Sequence, residues 1–144
     1  MIQKATISDL PVLAHLAALL WPHHTAEQMK KDVADILPQE DAAFFLARDG
    51  ENAIGFAQCQ LRHDYVEGTG SSPVGYLEGI YVAEGSRMQG IAKALLAACE
   101  AWAREKGCRE FASDCELTNL QSLQFHRNVG FEEANRIICF TKKL

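Results

Sequence analysis

The decapeptide Ala83-Glu84-Gly85-Ser86-Arg87-Met88-Gln89-Gly90-Ile91-Ala92 lies between an apolar run ending at Val82 and a long amphipathic pattern that begins at Gly90. A strand, a glycine-bearing loop with a cation, and then a helix start bring unpaired N–H groups and the positive end of the helix dipole together. Such a turn suits a phosphate. It lacks the Lys-Ser/Thr of a Walker loop and the G-x-G-x-x-G spacing, so the loop alone does not specify a nucleotide, and glycines before helices also serve as plain turns. Glu78 sits between Leu77 and Gly79 in a mostly apolar strand. A lone carboxylate there is costly unless paired or solvated, which favours a cleft wall over the core. Asp114 is a weaker case of the same kind; both also fit the simpler reading of strand ends turned to water. Carboxylates at strand ends pair and orient ammonium groups.

Other reactive side chains carry less. Cys115 follows Asp114, but no histidine is near it in sequence, and a buried thiol is the expected role rather than a nucleophile. His15 falls on the first helix and His23, His24 and His63 on loops or strand ends, with no ligand spacing, so no metal is expected. Trp21 fits a core plug and a cleft wall equally, while Tyr65, beside a glycine-rich loop, leans toward a ligand.

The elements that must position these residues follow from periodicity. Met1 to Ala5 reads as a short strand, and Ser8 or Asp9 caps a helix with Pro11 in its first turn and Leu13, Leu16, Ala17 and Leu20 on one face. Thr25 and Gln28 form a capping box for a second helix with Met29, Val33, Ile36 and Leu37 inward, ended by Pro38. Residues 42–48 and 53–62 read as a hairpin, 67–75 as a loop, and 76–82 as an apolar strand. A helix over 90–106 carries Ile91, Leu95, Cys99 and Trp102 on one stripe. A strand over 109–115, a helix over 119–128 closed by Gly130 and a final strand over 136–142 complete the order. The fold class is α/β: a mixed sheet with helices packed on its faces.

Composition bounds the function. The 144 residues suit one domain over 1–144, and 48% apolar residues supply a core without staples. The net charge of −5 argues against nucleic acid and anionic membrane as partners and fits a cationic small molecule. Five cysteines without a C-x-x-C pair read as reduced core thiols. No targeting segment or apolar run near the ~18 residues of a membrane span is present, so the default location is cytoplasmic.

Arg87-x-x-Gly90-x-Ala92 resembles the R/Q-x-x-G-x-G/A signature of the GNAT N-acetyltransferase superfamily, and Asn119…Phe125-His126-x-x-x-Gly130-Phe131 is similar to its second cofactor motif. The resemblance covers essentially the whole chain. It implies a mostly antiparallel sheet flanked by helices and acetyl-CoA as cosubstrate. Main-chain groups of Ile80, Tyr81 and Val82 would then meet the acetyl and pantetheine portions. Arg87 and the N–H groups of Met88, Gln89, Gly90, Ile91, Ala92 and Lys93 would hold the pyrophosphate, with Asn119 on the pantetheine arm. The stretch from Arg62 through Val82, with Phe111-Ala112-Ser113-Asp114 and Phe140-Thr141-Lys142-Lys143, resembles the aminoglycoside 6'-N-acetyltransferase branch. On that resemblance Trp21, Tyr65, Glu78 and Asp114 surround the aminoglycoside.

Two positions depart from the pattern. His126 stands where many members place a tyrosine as general acid, and Asn135 where some of the branch place an acidic acceptor contact, with Glu133 nearby. The implied chemistry is direct attack of a neutral amine on acetyl-CoA in a ternary complex, without an acetyl-enzyme. A backbone N–H of Ile80–Val82 would meet the oxyanion, with Glu78 or Asp114 taking a proton through water and His126 or solvent returning one. The branch also implies a homodimer with exchanged C-terminal strands, with which the alternation at Ile138, Phe140 and Lys142 is compatible. Three other functions fit parts of the pattern: an acetyltransferase for another amine, a noncatalytic acyl-CoA-binding domain, and a nucleotide-binding module.

Overall fold

Central strands packed by helices on both faces must be apolar on both, and Ala42–Asp49 (β2) and Asn52–Arg62 (β3) satisfy this. In the computed structural model, which describes residues 1–144, Phe45, Ala57 and Cys59 enter one buried cluster while Phe44, Leu46 and Phe56 enter another on the opposite side. With Ile2–Lys4 (β1), Val74–Val82 (β4) and Phe111–Ser113 (β5) they form a sheet in the order β1-β2-β3-β4-β5, antiparallel except for the parallel β4–β5 pair.

Helices Leu10–Leu20 (α1) and Ala26–Ile36 (α2) cover the Phe44/Phe56 face with Leu13, Leu16, Ala17, Met29 and Val33. The Thr25–Gln28 capping box forms, each backbone N–H bonding the other residue's side-chain oxygen at 3.1 Å, worth about 1 kcal/mol. Helix Ile91–Glu105 (α3) covers the other face with Leu95, Leu96, Cys99 and Trp102, and Leu120–Asn128 (α4) adds Phe125 beside it.

Several expectations need correction. Residues 136–142 form no strand; they pair with no strand of the sheet and follow an irregular path with Ile138 and Phe140 exposed, and alternation alone does not make a strand without a paired neighbour. The strand expected over 109–115 pairs only over Phe111–Ser113, and β4 begins two residues before Tyr76. The first helix is preceded by a 3-10 turn at Ile7–Asp9, where Asp9 accepts from the Thr6 N–H at 2.8 Å instead of capping α1 with its side chain. Cys59, Cys99 and Cys108 are buried, but Cys115 and Cys139 are exposed and are not core thiols. No helix is long and apolar enough to cross a membrane.

Two irregularities in β4 prepare the site. Gln58 pairs with Gly79 and Cys59 with Leu77, so Glu78 is an extra, unpaired residue: a β-bulge. It inverts the alternation, since Ile80 and Val82 join Leu77 on the α3 face while Tyr81 faces α1. The β4–β5 pairing also stops at Leu77 and Ser113, leaving the rest of β4 without a neighbour on that side.

Candidate active site

The loop after β4 is built to expose amides. Gly90 has φ 77° and Met88, a non-glycine residue, has φ 64°, so two left-handed residues with one residue between them turn the backbone into a concave run. The first helical hydrogen bond of α3 is Ala94 N–H to the Gly90 carbonyl (3.0 Å), which leaves the N–H groups of Ile91, Ala92 and Lys93 free of helical partners. Arg87 is turned back: its Nε donates to the Val82 carbonyl at 2.8 Å and its guanidinium lies 5.7 Å from the Tyr81 ring. Its side chain therefore fastens the loop to the end of β4.

Beyond Leu77 and Ser113 the two strands part. Glu78–Val82 then has no strand neighbour along one edge, and apart from the Val82 carbonyl held by Arg87 its backbone groups there can bond an extended amide-bearing chain as a strand would. At the fork, Ser113 Oγ lies 2.8 Å from His126 Nε2 and 3.3 Å from the Leu77 carbonyl, while His126 Nδ1 lies 2.7 Å from the Ser122 carbonyl. Asn119 is the N-cap of α4, its Oδ1 accepting from Ser122 N–H at 3.1 Å, which leaves its NH2 group free.

On the α1 side of the fork the bulge presents Glu78. Arg62 grips it with two nitrogens, Nη2 at 2.6 and 2.9 Å and Nε at 3.2 Å. The same guanidinium lies 3.6 Å from the centre of the Tyr76 ring, and the Tyr76 hydroxyl donates to Asp114. One chain of contacts thus joins Glu78 to Asp114, the two carboxylates singled out in the sequence, through Arg62 and Tyr76, which the sequence did not single out. Burial of Arg62 works against its charge, but the bond to Glu78 and the field of its neighbours outweigh this and hold its pKa above the ordinary value. Burial, then the bond to Asp114, pushes the Tyr76 hydroxyl well above its usual pKa of 10.0.

Trp21 lies edge-on to Phe56 (6.1 Å) and over Gly79, where an added Cβ would come 2.5 Å from its ring. It is both plug and wall, since Gly79 adjoins Glu78. Tyr65, largely exposed, and Glu78 share a cleft of about 460 Å³ with Asp41, Asp64 and His63, and His63 Nε2 lies 3.1 Å from Asp41 Oδ2. Those acidic neighbours went unnoticed in the sequence; two carboxylates close to Tyr65 and at the start of β2 were the available signal. Asn135 is elsewhere, donating to Glu67 at 3.0 Å, and Glu133 is taken by Arg136 at 2.7 Å. No group of three or more His, Cys, Asp or Glu side chains is placed to hold a metal ion.

The model of the acetyltransferase (GNAT) family matches residues 13–131. The chain belongs to the GNAT family. An aminoglycoside N(6')-acetyltransferase type 1 from Stenotrophomonas maltophilia is 45% identical over 99% of this chain and 93% of its own length. The enzyme of that name from Salmonella typhimurium is 45% identical over 86% of both chains. The solved structure of AAC(6')-Iy with the bisubstrate analogue CoA-S-monomethyl-acetylneamine superposes with a TM-score of 0.96 at 41% identity, covering all of this chain and 98% of the other.

In this GNAT chain the amide-rich turn, the forked strands and the carboxylate cleft form three consecutive compartments. The turn suits an anion, the fork an extended amide chain, and the cleft a cation. Their order along the molecule is the order of groups in an acyl-CoA meeting an amine.

Proposed function

We propose that this protein transfers the acetyl group of acetyl-CoA to the 6'-amino group of aminoglycoside antibiotics, conferring resistance to them. The observation that carries the reading is the bulge that turns Glu78 into an acid-lined cleft directly beside the free edge of β4. The relatives' names and the bisubstrate complex support the substrate class. The free amides of the 88–93 turn hold the pyrophosphate. The β4 edge, with Asn119, binds the pantetheine arm, and a backbone N–H of Ile80–Val82 meets the carbonyl oxygen as it gains charge. Glu78 and Asp114 pair the substrate's ammonium groups, and Trp21 and Tyr65 wall its sugar rings. In the free protein Arg62 neutralises Glu78; a polycationic substrate competes for that carboxylate and frees it to take the proton of the attacking amine through water.

The protein works as a single domain in the cytoplasm, where its five unpaired cysteines stay reduced. It forms a homodimer in which each C-terminal segment, with exposed Ile137, Ile138, Phe140 and Leu144, pairs with the partner's β5 edge. Nucleic acid and membrane are not partners of so acidic a chain.

The test is thiol release from acetyl-CoA with 6'-amino and 6'-hydroxyl aminoglycosides side by side, against a polyamine panel. Release with the 6'-amino compounds alone is expected; release only with polyamines or amino acids would transfer the reading to another amine. Glu78→Ala should lower aminoglycoside turnover by ~100-fold, the scale of losing one partner of a charged hydrogen-bonded pair, with CoA affinity within twofold of wild type.

A further inference from the structure

We propose that the Ser113 hydroxyl, bridging His126 and the Leu77 carbonyl at the β4–β5 fork, hands the proton to the thiolate that departs in acetyl transfer, with His126 as its reservoir. This rests on the acetyl-transfer reading. The Ser122 carbonyl, 2.7 Å from His126 Nδ1, can only accept, so Nδ1 carries a proton in either charge state. The Leu77 carbonyl, 3.3 Å from Ser113 Oγ, also only accepts. Ser113 has one proton to give. When the imidazole is neutral that proton goes to Nε2, 2.8 Å away, and the Leu77 carbonyl receives none; when the ring is an imidazolium, Nε2 donates to Oγ and Oγ donates to Leu77. All three bonds hold only in the charged form; passing to the neutral form removes one proton from the ring and turns the Ser113 hydroxyl from Leu77 to Nε2.

Two aromatic rings flank the imidazole, and a second hydroxyl, Ser122 Oγ, lies 3.4 Å from Nδ1 on the same helix. Phe125 stands edge-on to the imidazole at 5.6 Å and Phe131 lies tilted at 5.0 Å, and Nδ1 is committed to its own helix. Nε2, on the side of the fork, meets Ser113 Oγ. That oxygen belongs to the last paired residue of β5, at the point where β4 becomes free. Asp114, the next residue, turns the other way, to Tyr76, and so leaves the proton on this path undisturbed.

In the step, the amine nitrogen forms its bond to the acetyl carbon and the carbon–sulfur bond breaks, its electron pair going to sulfur. Ser113 Oγ–H gives its proton to that sulfur while Oγ takes the Nε2 proton of His126. The products are the amide, a thiol and a neutral His126 that solvent reprotonates. The amine's own proton goes to the carboxylate side and then to water. Ser113 is therefore a catalytic residue and His126 a positioning and storage residue behind it.

The test compares wild type with Ser113→Ala and Ser113→Thr in single turnover, measuring thiol release with a 6'-amino aminoglycoside and CoA affinity by calorimetry. Ser113→Ala should slow the step by ~100-fold, the lower range for loss of a general acid, with CoA affinity within threefold of wild type, and Ser113→Thr should recover most of the rate. A Ser113→Ala rate within threefold of wild type, or a loss of CoA affinity as large as the loss of rate, overturns the proposal. Nitrogen NMR of His126 in the ligand-free protein supplies an independent readout: the neutral ring should be the Nδ1–H tautomer, and the Nε2–H tautomer would refute the relay. If wild type itself releases no thiol with any amine, the acetyl-transfer reading fails, whereas active wild type with an equally active Ser113→Ala sinks the relay alone.

Discussion

Tyr76 shows how one hydroxyl can link two acids that do not touch. Its ring carries the Arg62 guanidinium and its hydroxyl donates to Asp114, so it fixes the separation between the charges on either side of it. Because its folded pKa is raised above 10.0, it adds stability that is fully present below pH 10 and is lost as pH rises through the raised value. In an alkaline titration followed by tyrosinate absorbance, one of the three tyrosines should therefore ionise well after the others, and Tyr76→Phe should remove that late step. All three tyrosines titrating together in the wild type, with no laggard, would contradict the geometry. Glu78 and Asp114 were legible in the sequence because an acid in an apolar strand is conspicuous. Arg62 and Tyr76 were not, because their partnership is a diagonal contact across β3 and β4, and its register depends on where the bulge falls.

At the level of elements, the bulge and the tethered loop shape the acceptor cleft. Gly79 lets β4 pass beneath Trp21, and Gly79→Ala would set a Cβ 2.5 Å from its ring. The ring must then move off the cleft wall. Gly79→Ala is expected to raise KM for the aminoglycoside ~10-fold or more, one misplaced packing contact being worth about 1–3 kcal/mol, while CoA affinity measured by calorimetry holds. The 63–73 loop is pinned by Glu110, which accepts from Gly70 N–H at 2.9 Å and from the Ser71 hydroxyl. The Ser71 bond, then the Gly70 bond, keeps the Glu110 carboxyl below the ordinary carboxylate range. A depressed pKa contributes stability above the unfolded value and loses it as pH falls through the folded one, so this tether releases only in acid, below pH 4.5. Relative to the intrinsic rate at each pH, protection of the amides in residues 64–72 should fall there, and Glu110→Ala should show the same loss of protection at neutral pH. The helices and the hairpin were readable from period and caps; the bulge was not, because an extra residue changes no composition.

For the whole molecule, the open question in the sequence was the last strand. Its alternation is real, but residues 136–142 lie outside the sheet with Ile138 and Phe140 exposed, and β5 is the sheet's outer strand. Apolar side chains on an unpaired segment and an unpaired strand edge are complementary liabilities, and the proposed second copy would relieve both. Phe140→Asp should shift the mass seen by light scattering from dimer toward monomer and lower the thermal midpoint at a given protein concentration. A wild-type chain that stays monomeric at working concentration would remove the dimer.

The sequence by itself settled what local chemistry can settle. Caps at Thr25 and Gln28, two-faced apolar strands and a glycine-bearing turn before α3 are decided by residues within a few positions of one another. Only the tertiary structure decided which groups meet. Arg62 on Glu78, Tyr76 on Asp114 and Ser113 between His126 and Leu77 join residues between 13 and 38 positions apart. Such contacts depend on strand register and on the angle at which two strands part, quantities that come from packing the whole core and leave no mark at either residue alone.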